Sequence, residues 1–392
     1  MRLLFLSNIY PSPVSPGKGT FNASLIRALA EQAEVQVICP ISWIDRYRHA
    51  RKNLTSWNPV HSNSPVVEHP TYYYTPKILR GCYGAFLDWS IGSSVRRMIR
   101  DFQPDAIVSY WAHPDGAVAL RHAHAAGLPA ISMVGGSDVL LLGKSGLRRR
   151  RILDVLRNSE AVVAVSDDIV RHLERDGIPA DKLHVVRRGV DRTLFSPGDQ
   201  TAARKRLGLP PDVPILIAVG RLVPVKGFNV LIEACHQLQA RGQDFRCYLL
   251  GSGECHASLS EQIQCLNLNQ QVVLQGAQLQ SQLPDWYRAA DLTVLSSFSE
   301  GVPNVLMESI ACGTRFVATD VGGVSEIADP DAHRLVPPRD PKAMADAIEE
   351  LLAQPYVPRP RRFEPNSWQD SASELCAIIS RCCEQSARNK RL

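Results

Sequence analysis

The stretch Phe195-Ser196-Pro197-Gly198-Asp199 decides how this chain of 392 residues is divided. Adjacent Pro and Gly, flanked by Ser and Asp, stop both helix and strand, and the same alternation runs on either side of them. Short runs rich in Val, Ile and Leu are each followed by an amphipathic segment or a turn, the signature of βα units built on a mostly parallel sheet. Upstream, strands are predicted at Leu3 to Ser7, Val35 to Cys39, Ala106 to Tyr110, Ala130 to Val134, Ala161 to Ser166 and His184 to Arg187. Between the first two, Phe21, Leu25, Ala28 and Leu29 share one helical face. Downstream, the series restarts at Ile215 to Val219, Cys247 to Leu250, Val272 to Gln275, Leu292 to Leu295 and Phe316 to Thr319. The chain is also too long for one ordinary core. An α/β protein of two domains, residues 1–197 and 198–367, is therefore expected.

Two regions interrupt the alternation. Residues 42–100 lose the strand order and are aromatic and basic (Trp43, Arg46, Tyr47, Arg48, Arg51, Trp57, Tyr72, Tyr73, Tyr74, Lys77). They suit an acceptor-facing or membrane-facing insertion, or a solvated loop and helix packed on the sheet. Lys144 to Arg157 places Arg148, Arg149, Arg150 and Arg151 before Ile152, Leu153 and Leu156, which reads as a solvated helix more readily than as a membrane anchor.

Composition excludes several classes. With 45% hydrophobic and 21% charged residues the chain is an ordinary globular one, and its net charge of +5 suits phosphates or an anionic membrane surface. The ten cysteines contain no C-x-x-C pair and lie mostly in apolar stretches, so reduced, packed thiols are expected. Met1-Arg2-Leu3-Leu4-Phe5-Leu6-Ser7 reads as a buried strand rather than a signal peptide, and no apolar run reaches the roughly 18 residues of a membrane span. The expectation is a cytoplasmic enzyme with peripheral contact at the inner face of a membrane and no nucleic-acid partner.

The strongest local feature is Ser299-Glu300-Gly301-Val302-Pro303-Asn304-Val305-Leu306-Met307-Glu308, after a strand. Gly301 and Pro303 make a turn into a helix that Ala311-Cys312-Gly313 closes. The free N–H groups of a helix start form an anion site. At a rise of about 1.5 Å per residue the two carboxylates lie roughly 10 Å apart, enough to bracket a diphosphate. One would then accept the hydroxyls of a sugar and the other those of a ribose. Gly220-Arg221-Leu222-Val223-Pro224-Val225-Lys226-Gly227 follows the first strand of the second series, at the edge where parallel sheets bind ligands. There Arg221 offers a planar donor fork and Lys226 a mobile charge to a diphosphate.

Weaker candidates follow other strands. Gly17-Lys18-Gly19-Thr20 could let backbone approach a phosphate or sugar, Thr20 serving equally as a helix cap. Gly251-Ser252-Gly253 is followed by His256 where a dinucleotide fingerprint wants its third Gly, which disfavours a nicotinamide or flavin enzyme. His113, in Tyr110-Trp111-Ala112-His113-Pro114-Asp115-Gly116, and Gly135-Gly136-Ser137-Asp138 end successive strands in parallel fashion. Ser166-Asp167-Asp168 reads as a helix cap rather than a metal motif, so no metal site is predicted.

Together these residues resemble the retaining glycosyltransferases of family 4, a GT-B family of two Rossmann-like domains facing across a cleft. The resemblance covers nearly the whole chain and is most specific in Gly220-Arg221 with Lys226-Gly227, Ala290-Asp291, Glu300-Gly301 with Glu308, and Gly322-Gly323 with Glu326. The opening, Ser7-Asn8-Ile9-Tyr10-Pro11 through Pro16-Gly17-Lys18-Gly19-Thr20-Phe21, is similar to enzymes of teichuronic acid and exopolysaccharide assembly. The resemblance implies that Arg221 and Lys226 hold the diphosphate of a UDP-sugar or GDP-sugar, Glu300 the transferred sugar and Glu308 the ribose. It further implies that the amides of Gly301, Val302, Pro303–Asn304 and Val305, with that of Gly19, line phosphate and sugar. His113 would contact the sugar near its reacting carbon, and Gly276 to Leu279 the base. No cofactor beyond the donor is implied. A segment from Trp368 to Cys382 is similar to the family's last helix, which crosses back to the first domain, so residues 368–392 are assigned there.

The chain departs from the family where Gly135-Gly136 replaces His-Gly, Arg188 precedes Gly189, and His333-Arg334 replace Asn-Gly. The expected reaction is retaining, metal-independent transfer to a glycan or lipid-linked acceptor. An epimerase or phosphorylase on the same fold, or a non-catalytic scaffold of a polysaccharide assembly complex, are the alternatives.

Overall fold

The computed structural model describes residues 1–50, 65–141, 146–354 and 362–390, so Arg51, Trp57 and Lys144 of the two interrupting regions lie outside the described residues. The described chain forms two compact units, Met1–Gly189 with Trp368–Leu392, and Val190–Ser367. The switch thus falls before Val190 rather than after Pro197. Its reason is packing: Val190 and Phe195 are buried in the core of the second unit.

In the first unit, β1 (Arg2–Leu6), β2 (Glu34–Ile38), β4 (Val66–Glu68), β6 (Ala106–Tyr110), β7 (Ala130–Val134), β8 (Ala161–Ala164) and β9 (Leu183–Val185) form one parallel sheet in the order β4-β2-β1-β6-β7-β8-β9. A small parallel pair, β3 (Ile41–Ser42) with β5 (Thr71–Tyr72), stands beside it. The central strands are buried along their whole length, as AIVSY in β6 is, because helices cover both faces. Alternation sorts β1 between the two layers. Leu3 and Phe5 join the helices Thr20–Leu29 and Trp368–Asn389 on one side, and Leu4 and Leu6 join Leu87, Ile91, Val95 and Met98 of the helix Tyr83–Phe102 on the other.

Of residues 42–100, the described ones, 42–50 and 65–100, keep more order than their sequence suggested. They supply an edge strand, β4, and a 20-residue helix whose Leu87-Ile91-Val95-Met98 stripe seals one face of the sheet. The arginine-rich segment is the helix Gly146–Asn158, with Ile152, Val155 and Leu156 buried and Arg149 paired to Asp176 at 2.5 Å. Helix Trp368–Asn389 joins the first unit through Leu375, Ile378 and Ile379, and Ser371 Oγ donates to the Arg187 carbonyl at 2.7 Å.

The second unit has β10 (Ile215–Val219), β11 (Arg246–Leu250), β12 (Val272–Gly276), β13 (Leu292–Leu295), β14 (Arg315–Thr319) and β15 (Arg334–Val336) in the order β12-β11-β10-β13-β14-β15, all parallel. Leu216 and Ala218 of β10 face one core with the helices Phe228–Ala240 and Pro341–Ala353, and Ile215 and Ile217 face the other with Leu283–Ala289 and Asn304–Cys312. The order reverses between β10 and β13 here and between β1 and β6 in the first unit. At such switch points the loops beyond the carboxyl ends of the strands splay apart and leave room for a ligand.

Candidate active site

In the second unit the loops after β10 and β13 are laced together by backbone. Phe298 N donates to the Val225 carbonyl at 2.8 Å and Ser296 Oγ to that of Lys226 at 2.9 Å. Gly227 allows this approach. Its φ is +62°, and a Cβ there would stand 2.1 Å from the Ser296 carbonyl oxygen, so any side chain would push the loops apart. The lacing brings Lys226 Nζ to 2.6 Å from Glu300 Oε1, with both side chains largely shielded from solvent. Arg221 is exposed, and its side chain makes no hydrogen bond or ion pair among the described residues, although its carbonyl accepts from Val223 N at 2.8 Å.

The helix Asn304–Cys312 starts immediately after the Glu300 turn, capped by Pro303 and closed by Gly313 in the left-handed conformation. Val302 and Pro303 are buried, and Asn304 and Val305 are half-buried. Gly301 accepts at its carbonyl from Gly323 N at 2.7 Å, which ties the turn to the Gly322-Gly323 loop after β14. Gly220 ends β10 with only ordinary contacts around it, and Gly276 ends β12, its carbonyl accepting from Gly251 N at 2.8 Å with open space beside its α-carbon. Glu308 takes a different partner from Glu300: Tyr287 OH donates to its Oε2 at 2.8 Å. Burial pushes the Glu308 carboxyl up to about 7, and the Tyr287 hydrogen bond pulls it back only in part.

In the first unit His113 follows β6 and is buried, with Gly84 N donating to its Nε2 at 3.3 Å. Its Nδ1 is buried without a hydrogen-bond partner among the described residues. Burial, with the nearby cations Arg148 and Arg151, lowers the imidazole to about 4, so the ring is neutral at pH 7. Gly19 caps the first helix at φ +69°, where a Cβ would stand 2.3 Å from the Ile9 carbonyl oxygen. The cap is therefore Gly19, not the Thr20 hydroxyl. Gly17 is exposed, with nothing near its α-carbon. Beside this loop lies an open cavity of about 260 Å³ lined by polar Asn8, Ser12, Ser15, Lys18, Ser42 and Asp45.

Several buried polar groups at these strand ends and beside Glu308 were not singled out in the sequence. Asp115 is buried, accepts from Asn8 N at 2.8 Å through Oδ1, and is pushed up to about 7 by burial, its Oδ2 unpartnered among the described residues. Asp138 gathers Gly135 N and Gly136 N on one oxygen, at 3.2 and 3.0 Å, and burial pushes it to about 6. Gly135 has a steric reason of its own, since a Cβ there would meet Tyr110 OH at 1.9 Å. That hydroxyl accepts from Arg188 Nη2 at 2.5 Å, and the guanidinium lies 4.1 Å over the Phe21 ring. Tyr287 reaches Glu308 across 21 residues, a pairing with no local pattern to announce it.

Two family descriptions divide the chain between them: Glycosyltransferase Family 4 matches residues 17–194 and Glycosyl transferases group 1 matches residues 199–370. The chain belongs to the family 4 glycosyltransferases. It is 28% identical over 368 residues to a Bacillus subtilis protein named for teichuronic acid biosynthesis, glycosyltransferase TuaC, covering 89% of this chain and 88% of that one. A D-inositol 3-phosphate glycosyltransferase of Catenulispora acidiphila is 32% identical over 256 residues, 58% of this chain and 59% of that relative. Among solved structures, a sucrose-phosphate synthase from Thermosynechococcus elongatus superimposes with a TM-score of 0.76 at 21% identity, covering 100% of this chain and 98% of that one. Anabaena Alr3699/HepE, solved with UDP and glucose, gives 0.70 at 19% identity over 99% and 95% of the two chains. These likenesses establish the two-unit GT-B architecture of a glycosyltransferase.

Proposed function

We propose that this glycosyltransferase moves a sugar, with retention, from a nucleoside diphosphate donor to a glycan or lipid-linked acceptor in cell-surface polysaccharide synthesis. UDP is the favoured nucleotide over GDP. The observation that carries the reading is the Lys226–Glu300 pair, 2.6 Å apart at a sheet switch point and directly before a helix N-terminus. In the unliganded chain each group satisfies the other. A donor would separate their tasks, its diphosphate taking Lys226 and Arg221 and its sugar hydroxyls taking Glu300. Glu308 would receive the ribose, Gly276 would border the base, and the amides of Gly301–Val305 and Gly19 would face phosphate and sugar. The naming of one relative for teichuronic acid and the UDP held by Anabaena HepE support the substrate classes.

In this mechanism the acceptor oxygen bonds to the anomeric carbon on the face from which the bond to the diphosphate oxygen breaks. The acceptor proton passes to the departing diphosphate, whose growing charge Arg221 and Lys226 stabilise without a metal. Neutral His113 lies beside the sugar near its reacting carbon, offering a hydrogen bond rather than a charge. Thermal stabilisation by UDP, GDP and their sugars tests the donor site, because a ligand bound only to the native state raises its stability. A shift with UDP that is lost in Arg221→Ala and Glu308→Ala is expected. Absence of any nucleotide shift would favour a phosphorylase or a scaffold, and conversion of the donor without an acceptor would favour an epimerase. Retention is tested by the anomeric configuration of the product, and the metal-independent step by activity in a chelator.

A further inference from the structure

Two helices of the second unit meet at Glu308. Leu283–Ala289 brings Tyr287 to the meeting point, and Asn304–Cys312 brings the carboxyl. The Tyr287 ring is fully buried and meets Phe195 edge-on at 6.0 Å, so the phenol has no room to turn away. Its backbone is pinned as well. Thr314 Oγ1 donates to the Tyr287 carbonyl at 2.6 Å, and Thr314 N to that of Ser309 at 3.0 Å. Thr314 follows the Gly313 that closes the helix of Glu308, so ring and carboxyl are held in one frame. Across that frame Tyr287 OH donates to Glu308 Oε2 at 2.8 Å.

A carboxyl that serves stability alone is poorly placed here. Withdrawing it from water is unfavourable unless a cation or several donors meet it. Among the described residues Glu308 has no ion pair and this one hydrogen bond, and its Oε1 has no partner and keeps contact with solvent. A neutral phenol supplies what a site for vicinal hydroxyls needs. It holds one oxygen still, which removes rotamer freedom that a ligand would otherwise have to freeze. It favours the carboxylate over the acid, opposing the burial that raises the group to about 7. It also adds no positive charge, whereas a Lys or Arg in its place would draw a diphosphate towards this end of the site.

We propose that Tyr287 is a positioning residue for the ribose of the donor: by holding Glu308 Oε2 it leaves Oε1 and the remaining lone pairs aimed at the ribose hydroxyls. This rests on the reading that Glu308 receives the ribose. In this role the phenol touches neither the transferred sugar nor a reacting atom. It therefore governs donor affinity and the choice of a ribonucleotide over a deoxynucleotide, and not the chemical step.

Calorimetric affinities of the full chain for UDP and GDP, each beside its 2′,3′-dideoxy form, test the role in the parent, Tyr287→Phe and Glu308→Ala. The parent should prefer the ribonucleotide, and Glu308→Ala should bind the two forms alike. Tyr287→Phe keeps the ring against Phe195 and should weaken the ribonucleotide about tenfold while leaving the dideoxy form within about twofold. In a transfer assay its donor KM should rise by a similar factor, with kcat within about threefold of the parent. A smaller folded fraction would lower the number of sites and not the ratio of the two affinities. A parent that binds both forms equally, or binds neither, would remove the ribose reading and the proposal with it. A preference that Glu308→Ala abolishes and Tyr287→Phe retains in full would overturn the proposal alone. So would an equal loss for both forms in Tyr287→Phe, which a merely structural phenol would give.

Discussion

The two switch points handle charge in opposite ways. In the second unit Lys226 and Glu300 pair with each other at 2.6 Å, and Arg221 is exposed. In the first unit, burial itself acts: His113 is lowered to about 4 while Asp115 and Asp138 are raised to about 7 and 6. A pair that satisfies itself can exchange one partner for a charged ligand, whereas a neutral imidazole and carboxyls that burial brings towards neutrality suit uncharged hydroxyls. Under the proposed function the difference would suit the second unit to the diphosphate and the first to the acceptor hydroxyls. Its sharpest test is to remove the cations. Lys226→Ala and Arg221→Ala should each lower kcat about 10²- to 10³-fold in a transfer assay. Near-normal turnover in both would break the comparison at its stronger end.

Next in size is the lacing that makes the charged pair. Gly227→Ala places a Cβ against the Ser296 carbonyl and imposes φ +62° on an L residue, so a loss of about 2–3 kcal/mol is expected. Denaturant unfolding of the second unit would read it. Donor affinity should fall with stability, because displacing the loop also displaces Lys226 from Glu300. A variant that lost stability yet bound donor normally would show that the pair forms without the lacing.

Why the second unit was easier to read follows from the same contrast. Central strands such as β6 and β10 are buried on both faces and announce themselves as unbroken apolar runs, whereas β4 and β15 are three-residue edge strands, Val66–Glu68 and Arg334–Val336, too short to carry a pattern of their own. Lys226 and Glu300 were visible because charged residues beside Gly and Pro after a strand are conspicuous. Asp115 and Asp138 were printed in the same strand-end motifs, but their importance lies in burial, which no local spacing records. The stripe Leu87-Ile91-Val95-Met98 was legible at helical spacing, yet surrounding aromatics and arginines masked it. The Tyr287–Glu308 bond depends on two helices meeting, Leu283–Ala289 with Asn304–Cys312, and could be known only from the fold.

Glu308 blurs the comparison, since it is a second-unit carboxyl raised by burial to about 7. The sign follows from the raised value: the protonated acid's contribution to stability is complete below about 4.5, the ordinary value, and is lost as pH rises through about 7. Glu308→Gln does not titrate, so its stability relative to the parent should improve between pH 5 and pH 8. A rise from 4.5 to about 7 corresponds to about 3 kcal/mol, but the side chain keeps some solvent contact, and about 1–2 kcal/mol is expected. Parallel melting curves for the two proteins across that range would place Glu308 with the ionised groups instead.

The smallest effect probes the first unit where it most resembles the second, at a cation built into its strand-end network. Arg188 donates to Tyr110 OH at 2.5 Å and lies 4.1 Å over Phe21, so a phenol and a ring both meet its guanidinium. Tyr110→Phe removes the hydroxyl but leaves the ring contact, and Gly135, which leaves room for that hydroxyl, would border a small void. A loss of about 1 kcal/mol, seen as a fall of a few degrees in melting temperature, is expected. Turnover should stay within about threefold, because the phenol spends its oxygen on Arg188 and not on a reacting atom. If instead turnover collapsed while the melting temperature held, Arg188 would be a ligand-facing cation that Tyr110 only positions. The first unit would then share the diphosphate's charge, and the division of labour between the two switch points would have to be redrawn.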